Sequence, residues 1–334
     1  MRIVALEEHF QVPELIQKIG KDRALSRGWP DADDNPAASR RDELADVGER
    51  RLAEMDAAGV SLQVLSASGP GADLLPQQAG SALAKAYNDR LKQIIDDRPD
   101  RFAGFAHLPM TTPEAAADEL ERAVVELGFC GALINGLTED RFLDDRMFEP
   151  ILARAEALEV PLYLHPNVPP AVVRGVYYGA LPEPLPYLLS TAGFGWHAET
   201  AIHVLRLVLS GTLDRHPRLK LIIGHMGETL PMMVDRADNV FGKAVERRLD
   251  RGVRQTILEQ VWITTSGFFS LAPFAAAMMT FGADRILFSV DYPFSSNAAG
   301  TEFLRRLPVS PADLVKIASG NADRLLKLKP RDTA

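Results

Sequence analysis

Four side chains that can bind a metal ion stand at the ends of short apolar runs in this sequence. Glu7 and His9 end the first run of the chain, and His165 and Asp291 each end a later one. Imidazole nitrogens and carboxylate oxygens are common ligands of zinc, manganese and other divalent ions. Structural zinc sites mostly use cysteine, whereas a set of histidines and carboxylates leaves room for water or substrate. The residue types therefore predict a catalytic metal site.

Glu7 and His9 are two residues apart in a predicted strand, so both side chains should point into the same face. Glu8 should then point outward, toward helices or solvent. A carboxylate and an imidazole in one strand more often form a buried hydrogen-bonded pair than a metal site. Further ligands from other strands shift the balance toward a metal.

Two of those further ligands have simpler alternatives. His165 precedes Pro166, and a histidine at a strand end can merely pack against the proline. Asp291 precedes Tyr292 and Pro293 and can cap a helix. A position at the exit of a strand, where the chain turns away, favours a ligand or a general acid or base for both residues.

A fifth polar residue, His225, lies between two glycines that allow the backbone to approach a substrate closely. Glu228 follows three residues later and can hydrogen-bond one imidazole nitrogen, which fixes the tautomer of the other. The alternative is a helix start with an acid in its first turn. Both interpretations are compatible.

The remaining candidates are weaker. His107 suits a pocket or a satisfied core histidine equally well. Arg51 and Arg236 have helical surroundings, and we expect both on solvated faces, although Arg51 is also kept as a candidate contact for an acidic substrate. No chemistry is assigned to three histidines in helices or turns, His197, His203 and His216.

Eight strands must position these residues. Short apolar runs alternate with helical patterns along the chain, which is typical of a (β/α)8 barrel with its chemistry at the C-terminal ends of the strands. Helical spacing is clearest at 82–95, 113–127 and 200–213. The predicted strands are 3–9, 61–67, 101–108, 130–135, 160–165, 219–225, 261–267 and 286–291.

Two stretches interrupt the alternation of strands and helices. Residues 11–40 follow the first strand, and residues 168–196 follow the fifth. Long loops in compact domains are usually functional or disordered. Since both leave from strands that carry predicted ligands, we expect them to form walls or lids of the pocket. The fold class is therefore a distorted α/β barrel with two insertions, in a single domain over residues 1–334.

Composition narrows the classes of protein. The 334 residues are 46% hydrophobic and 25% charged, which is typical of a soluble globular protein. A formal net charge of −8 argues against nucleic acid or an anionic membrane as partner. Cys130 is the only cysteine, so a reducing compartment suits the chain. With no signal peptide and no long apolar run, we expect a cytoplasmic protein.

These motifs resemble the amidohydrolase superfamily over essentially the whole chain, and more narrowly its metal-dependent decarboxylase branch, which includes γ-resorcylate and 2,3-dihydroxybenzoate decarboxylases. Hydrolytic members commonly begin with His-x-His and, when binuclear, add a carboxylated lysine from strand four. Here the first ligand is Glu7, and residues 130–135 contain no lysine. The resemblance rests on Glu7-x-His9, His165-Pro166, Gly224-His225-Met226-Gly227-Glu228, Asp291-Tyr292-Pro293 and Gly320-Asn321-Ala322-x-Arg324-Leu325-Leu326.

The resemblance implies one divalent ion, Mn or Zn with Mg as a third option, held by Glu7, His9, His165 and Asp291. A small hydroxylated aromatic carboxylate would be the substrate. Asp291, with a pKa raised by burial, would protonate the ring carbon that bears the carboxylate before CO2 leaves, and His225 with Glu228 would assist. Trp196, Tyr292 and Phe294 would form aromatic walls, and Arg236 would reach the substrate of a neighbouring subunit in a homodimer or homotetramer.

Two other functions remain open. A hydrolase of a lactone or amide on the same fold would use the metal to activate water, with Asp291 as base. Glu7 in place of a first-strand histidine disfavours it. A barrel kept only for binding or assembly is disfavoured by the complete set of predicted ligands.

Overall fold

Eight short parallel strands form the centre of the molecule. The computed structural model describes residues 1–31 and 40–328, so part of the predicted insertion 11–40, at 32–39, lies outside the described residues. Each predicted strand is present, although several are shorter than predicted. The strands are β1 (Val4–Phe10), β2 (Leu62–Ala67), β3 (Phe102–Gly104), β4 (Ala132–Asn135), β5 (Leu162–His165), β6 (Leu221–Ile223), β7 (Val261–Thr264) and β8 (Ile286–Leu287).

Helices follow the strands, as a barrel requires. Four lie between β1 and β2, at α1 (Pro13–Ile16), α2 (Lys21–Arg27), α3 (Arg41–Ala45) and α4 (Glu49–Ala58), and α5 (Gln77–Asp97) lies between β2 and β3. The middle of the chain holds α6 (Pro113–Val125), α7 (Glu149–Ala157), α8 (Ala171–Val173), α9 (Leu185–Ser190), α10 (Gly195–Leu209) and α11 (Thr212–Arg215). The last part holds α12 (Leu230–Val245), α13 (Val253–Gln260), α14 (Leu271–Phe281), α15 (Asn297–Arg305), α16 (Pro311–Val315) and α17 (Asn321–Leu325).

The strands pair in sequence order in two parallel sheets, β1 to β3 and β4 to β8. Single parallel bridges join Leu6 to Ser289 and Ala106 to Ala132. The two sheets therefore meet at both edges, and the strands follow one another round a distorted barrel. β3 and β8 are the shortest strands at these junctions, with three and two residues. The predicted fold class is confirmed.

Apolar side chains fill the barrel and separate it from the helices. Alternate residues of the strands point inward, as in other closed barrels. Each fully buried leucine, isoleucine or phenylalanine contributes about 1.5–3 kcal/mol to stability. The inner cluster includes Val4, Leu6, Leu62, Val64, Phe105, Leu133, Tyr163, Ile222 and Leu287.

The first strand departs from regular alternation. Its pairing with β2 shifts register between Ala5 and Glu8, and Glu7 has a φ of 58°. Glu7, Glu8 and His9 are all buried. The prediction that Glu8 faces helices or solvent is therefore wrong as regards solvent. The extra residue turns the Glu7 side chain toward the barrel axis.

The two insertions touch one another. The first contains α1 and α2, and the second contains α8, a π-helical turn at Arg174–Tyr178, and α9. Arg27, the last residue of α2, donates hydrogen bonds to the carbonyls of Val168 and Pro169. The insertions that leave β1 and β5 thus share contacts beside the ends of the strands.

Candidate active site

The predicted ligands from three strand ends converge. Glu7 Oε1 lies 3.6 Å from His165 Nε2, and His9 Nε2 lies 3.3 Å from Asp291 Oδ1. His225 Nε2 lies between the two carboxylates, 3.7 Å from Glu7 Oε1 and 3.8 Å from Asp291 Oδ2. One site therefore contains five residues that are up to 284 positions apart in the chain.

One oxygen of Glu7 is anchored and the other is free. Oε2 accepts a hydrogen bond from the Tyr163 hydroxyl and a longer one, 3.4 Å, from Thr264 Oγ1. Gly224 gives the carboxylate its space, because a Cβ there would lie 2.8 Å from Oε2. Glu7 Oε1 is buried and has no hydrogen-bond partner among the described residues. The carboxylate is thus oriented with one oxygen available to a ligand.

Hydrogen bonds on the far side of two imidazoles direct the other nitrogens into the site. His165 Nδ1 lies 2.8 Å from the carbonyl of Pro166, which can only accept, so Nδ1 carries the proton and Nε2 keeps its lone pair. His9 Nδ1 lies 3.3 Å from Ser66 Oγ. Ligating histidines are commonly oriented by such contacts.

The donor set fits a divalent cation. His9 Nε2 and Glu7 Oε1 are both buried and without a hydrogen bond among the described residues. Burying a polar atom without a partner is costly, so such atoms mark a place where a partner binds. Glu7, His9 and His165 can each point one ligand atom at a common point. Two nitrogens and carboxylate oxygens suit zinc or manganese.

The His225 side chain is held from behind by Glu228, as the sequence predicted. His225 Nδ1 lies 2.7 Å from Glu228 Oε1, and its backbone N–H donates to Ser266 Oγ. The second oxygen of Glu228 lies 2.6 Å from Nδ1 of His197, in the first turn of α10. Sequence reasoning missed His197, and its only signal was its place next to Trp196, a predicted aromatic wall.

Burial and neighbouring charges distribute the protons unevenly. Burial raises the pKa of Glu7. For Asp291, burial alone would raise the pKa, but the imidazoles of His225 and His9 outweigh it and lower the pKa to about 2. For His225, the carboxylates of Glu228 and Glu7 outweigh burial and raise the pKa well above its usual value. The prediction of a raised pKa for Asp291 is therefore wrong, because the imidazoles of His225 and His9 favour its ionised form more than burial disfavours it.

His165 and Glu228 are also perturbed. Burial lowers the pKa of His165 to about 3, which keeps the imidazole neutral and able to bind a metal. Burial would raise the pKa of Glu228, but His225 and His197 lower it to about 2. Glu228 therefore stays ionised between two imidazoles.

Arg51 is not on a solvated face. Its side chain is fully buried and donates hydrogen bonds to the carbonyls of His9 (2.5 Å) and Asp46 (2.9 Å). Its guanidinium lies 4.7 Å from the centre of the Tyr292 ring. The prediction of a solvated position for Arg51 is therefore wrong. The substrate contacts predicted for Arg51 and Tyr292 stay predictions. The buried position of Arg51 was not visible in the local sequence pattern.

Two other predicted aromatic residues lie beside the ligands. The Trp196 ring centre is 6.2 Å from that of His165, and the Phe294 ring centre is 5.7 Å from that of His9. Arg236 is exposed on α12 and, among the residues that the structure describes, makes no hydrogen bond or ion pair. His107 accepts a hydrogen bond from the Ala72 N–H and is a satisfied core histidine.

Comparison with known proteins identifies the family. The amidohydrolase family model matches residues 14–328. The chain belongs to this family. This match confirms the resemblance to amidohydrolases that the strand-end motifs indicated. No helix within the described ranges is long and apolar enough to cross a membrane.

Relatives and solved structures of this amidohydrolase narrow the branch. The decarboxylase orsB of Emericella nidulans is 39% identical, with 98% of this chain and 97% of the relative covered. The γ-resorcylate decarboxylase of Rhizobium sp. (strain MTP-10005) is 38% identical, with 97% and 98% covered. The crystal structure of a dihydroxybenzoic acid decarboxylase from Polaromonas sp. JS666, with bound manganese and the inhibitor 2-nitroresorcinol, has a TM-score of 0.87 at 36% identity, with 99% and 98% covered.

Proposed function

We propose that this chain is a metal-dependent, non-oxidative decarboxylase of a hydroxylated aromatic carboxylic acid. The observation that carries the proposal is the convergence of Glu7, His9, His165 and Asp291, with two buried ligand atoms that lack a partner. Relatives of 38–39% identity over nearly the whole chain are decarboxylases, which supports the same class of reaction.

One divalent ion, manganese or zinc with magnesium as a third option, would be held by Glu7, His9, His165 and Asp291. When bound, the ion acts as a Lewis acid that stabilises negative charge on substrate oxygens. Residues of this chain orient the ligand atoms, since Tyr163 fixes one oxygen of Glu7 and the Pro166 carbonyl fixes the tautomer of His165.

Proton delivery is the task of Asp291 and His225. Direct loss of CO2 would leave an aryl carbanion, whereas protonation of the ring carbon first creates a dienone that accepts the electron pair of the breaking carbon–carbon bond. Because the pKa of Asp291 is low and that of His225 is high, the proton starts on His225. It reaches the ring carbon through the Asp291 carboxyl, 3.8 Å away, and CO2 leaves as aromaticity returns. Glu228 stabilises the charged His225.

Substrate contacts come from both sides of the ligands. Trp196 and Phe294 form aromatic walls, and Arg236 of a second copy pairs with the substrate carboxylate in a homodimer or homotetramer. We propose one barrel domain over residues 1–334, which is supported by a core cluster that runs from Ile3 to Ala318 within the described residues. The cytoplasm is the predicted compartment, since the single cysteine suits a reducing environment.

The test is a panel of hydroxybenzoates in deuterated water, assayed with the wild-type protein and Asp291→Asn. The wild type should release CO2 and place deuterium on the ring carbon that lost the carboxylate. Asp291→Asn should lose at least about 100-fold in kcat because an amide cannot pass on the proton. Asp144→Asn changes a carboxylate that pairs with Arg206 outside the predicted ligand set; it is the control and should retain activity. Hydrolysis of a lactone or amide without any decarboxylation would support the hydrolase instead.

A further inference from the structure

A buried carboxylate outside the ligand set grips the backbone on both sides of Asp291. Glu8 Oε1 accepts a hydrogen bond from the Val290 N–H at 2.9 Å, and Oε2 accepts one from the Tyr292 N–H at 3.1 Å. The side chain of Glu8 is fully buried. The two oxygens of the Glu8 carboxylate thus bind backbone N–H groups on either side of Asp291.

The Asp291 backbone needs such support. Its φ is 71°, in the left-handed region that residues with a side chain rarely adopt. Conformations of this kind persist only where the surrounding structure holds them. The Val290 carbonyl is also held, by the Gly267 N–H at 3.2 Å, but the two amides that flank Asp291 both depend on Glu8.

A matching contact holds the other ligand of the pair. Arg51 donates a hydrogen bond to the His9 carbonyl, and its guanidinium lies over the Tyr292 ring. From outside the barrel, Glu8 and Arg51 therefore fix the backbones of Asp291 and His9, whose side chains meet at 3.3 Å inside it.

We infer that Glu8 is a positioning residue, which sets the direction of the Asp291 carboxylate by clamping the amides of Val290 and Tyr292. The inference rests on the proposed function in one respect, the role of Asp291 as ligand and proton donor. The hydrogen bonds of Glu8 run to these two amides and, at 3.5 Å, to the Gln63 side chain, rather than to the side chain of a predicted ligand.

The clamp requires two acceptors and no donor. A carboxylate offers two oxygens, whereas a glutamine amide of the same shape offers one oxygen and one NH2 group. In Glu8→Gln, one of the two backbone N–H groups would face another donor and lose its partner. The substitution thus removes half of the clamp with almost no change in volume.

The experiment compares Glu8→Gln with a matched control, Glu119→Gln. Glu119, on α6, is also a buried carboxylate and lies away from the site. It accepts hydrogen bonds from the side chains of Asn88 and Arg122. Mn²⁺ affinity and the Mn²⁺ electron paramagnetic resonance spectrum are measured first, then kcat and KM. Glu8→Gln should bind Mn²⁺ about 10–100-fold more weakly and lose kcat by a similar factor with little change in KM. Glu119→Gln should match the wild type in all four.

Wild-type Mn²⁺ affinity, spectrum and kcat in Glu8→Gln would overturn the inference. If Glu8→Gln does not fold, Glu8→Asp is measured instead. Aspartate keeps the carboxylate with both acceptor oxygens, but it is one methylene too short to reach both amides. Glu8→Asp should therefore show the same losses of Mn²⁺ affinity and kcat to a smaller degree. Failure of both variants to fold, with Glu119→Gln folded, would also overturn it, because Glu8 would then be required for the fold as a whole. The metal measurements stand even if the wild-type protein decarboxylates no substrate, so failure of the proposed function is a separate result.

Discussion

Left-handed backbone conformations coincide with the candidate ligands and acids. Glu7, His225 and Asp291 have φ values of 58°, 50° and 71°. Each such residue costs of order 1–3 kcal/mol and persists only where surrounding contacts hold it. At these positions the cost is offset by named contacts, such as the hydroxyl of Tyr163 on Glu7 and the carboxylate of Glu228 on His225. The site is therefore built from side chains whose direction depends on an unusual backbone.

At this scale we expect His165→Ala to lose the metal and keep the fold. His165 Nε2 faces Glu7 Oε1, so its removal takes one ligand from the ion, and metal affinity should fall by at least about tenfold. His165 lies outside the apolar cluster that fills the barrel, so the free energy of unfolding of the metal-free protein should change little. Elemental analysis of purified protein and urea unfolding measure the two effects.

The control for this prediction is His203→Ala. His203 is also buried, but its Nε2 accepts a hydrogen bond from the Leu143 N–H, away from the ligands. This variant should lose stability and keep about one ion per chain. Two ions per chain in the wild type, or full metal content in His165→Ala, would contradict the assignment.

Two elements that are distant in sequence are joined through one carboxylate. Glu228 follows the turn at His225–Gly227, and its oxygens contact His225 and also His197 on α10. His197 in turn contacts the carbonyl of Ala192 at the end of the second insertion. The position of the insertion is thereby coupled to that of the imidazole in the site.

This link predicts a pH-dependent stability. The pKa of Glu228 is lowered from 4.5 to about 2 in the folded protein. The ionised form therefore stabilises the fold fully above about pH 4.5, and this stabilisation is lost as the pH falls toward about 2. Glu228→Gln lacks this titration. The difference in free energy of unfolding between wild type and Glu228→Gln should therefore shrink from pH 6 to pH 3.

Urea unfolding at several pH values gives this difference directly. Glu302→Gln, at an exposed position of α15, is the control and should follow the wild type at every pH. If the difference in free energy of unfolding between wild type and Glu228→Gln stays constant down to pH 3, ionised Glu228 does not stabilise the fold.

Apolar side chains are exposed on the outside of the whole molecule. In the second insertion, Val176 is 75% and Tyr177 74% exposed, and on α12 Met232 is 76% exposed. Large exposed apolar patches mark interaction sites. Arg236 is exposed on the same helix, α12. A second copy of the chain is the partner that we propose for these surfaces.

We expect activity to belong to a dimer or a larger assembly that shares Arg236 between sites. Arg236→Lys should raise KM or lower kcat with unchanged metal content, because lysine cannot form the two-pronged contact of arginine with a carboxylate. Mixing Arg236→Lys with Asp291→Asn should give more activity than the two variants separately, since a mixed dimer contains one complete site. A fully active monomer in sedimentation or size-exclusion experiments would exclude the shared site.

Local patterns were sufficient to predict the eight strands and the ligand candidates. An apolar run of a few residues that ends in histidine or an acid is a short-range signal, and Glu7, His9, His165 and Asp291 all carry it. The barrel then follows because parallel strands with helical connections close in sequence order. The contact between His225 and Glu228 could also be predicted from the sequence, since the two residues are three positions apart.

Only the tertiary structure decided the surroundings of these residues. Glu8 was expected to face helices or solvent, yet it accepts hydrogen bonds from amides 282 and 284 positions away. Arg51 was expected on a solvated face, yet it is fully buried. The pKa values in the site also depend on the tertiary structure, because the low pKa of Asp291 is caused by imidazoles from other strands. Burial and pKa are set by neighbours in space, and strands that are far apart in the sequence bring those neighbours together.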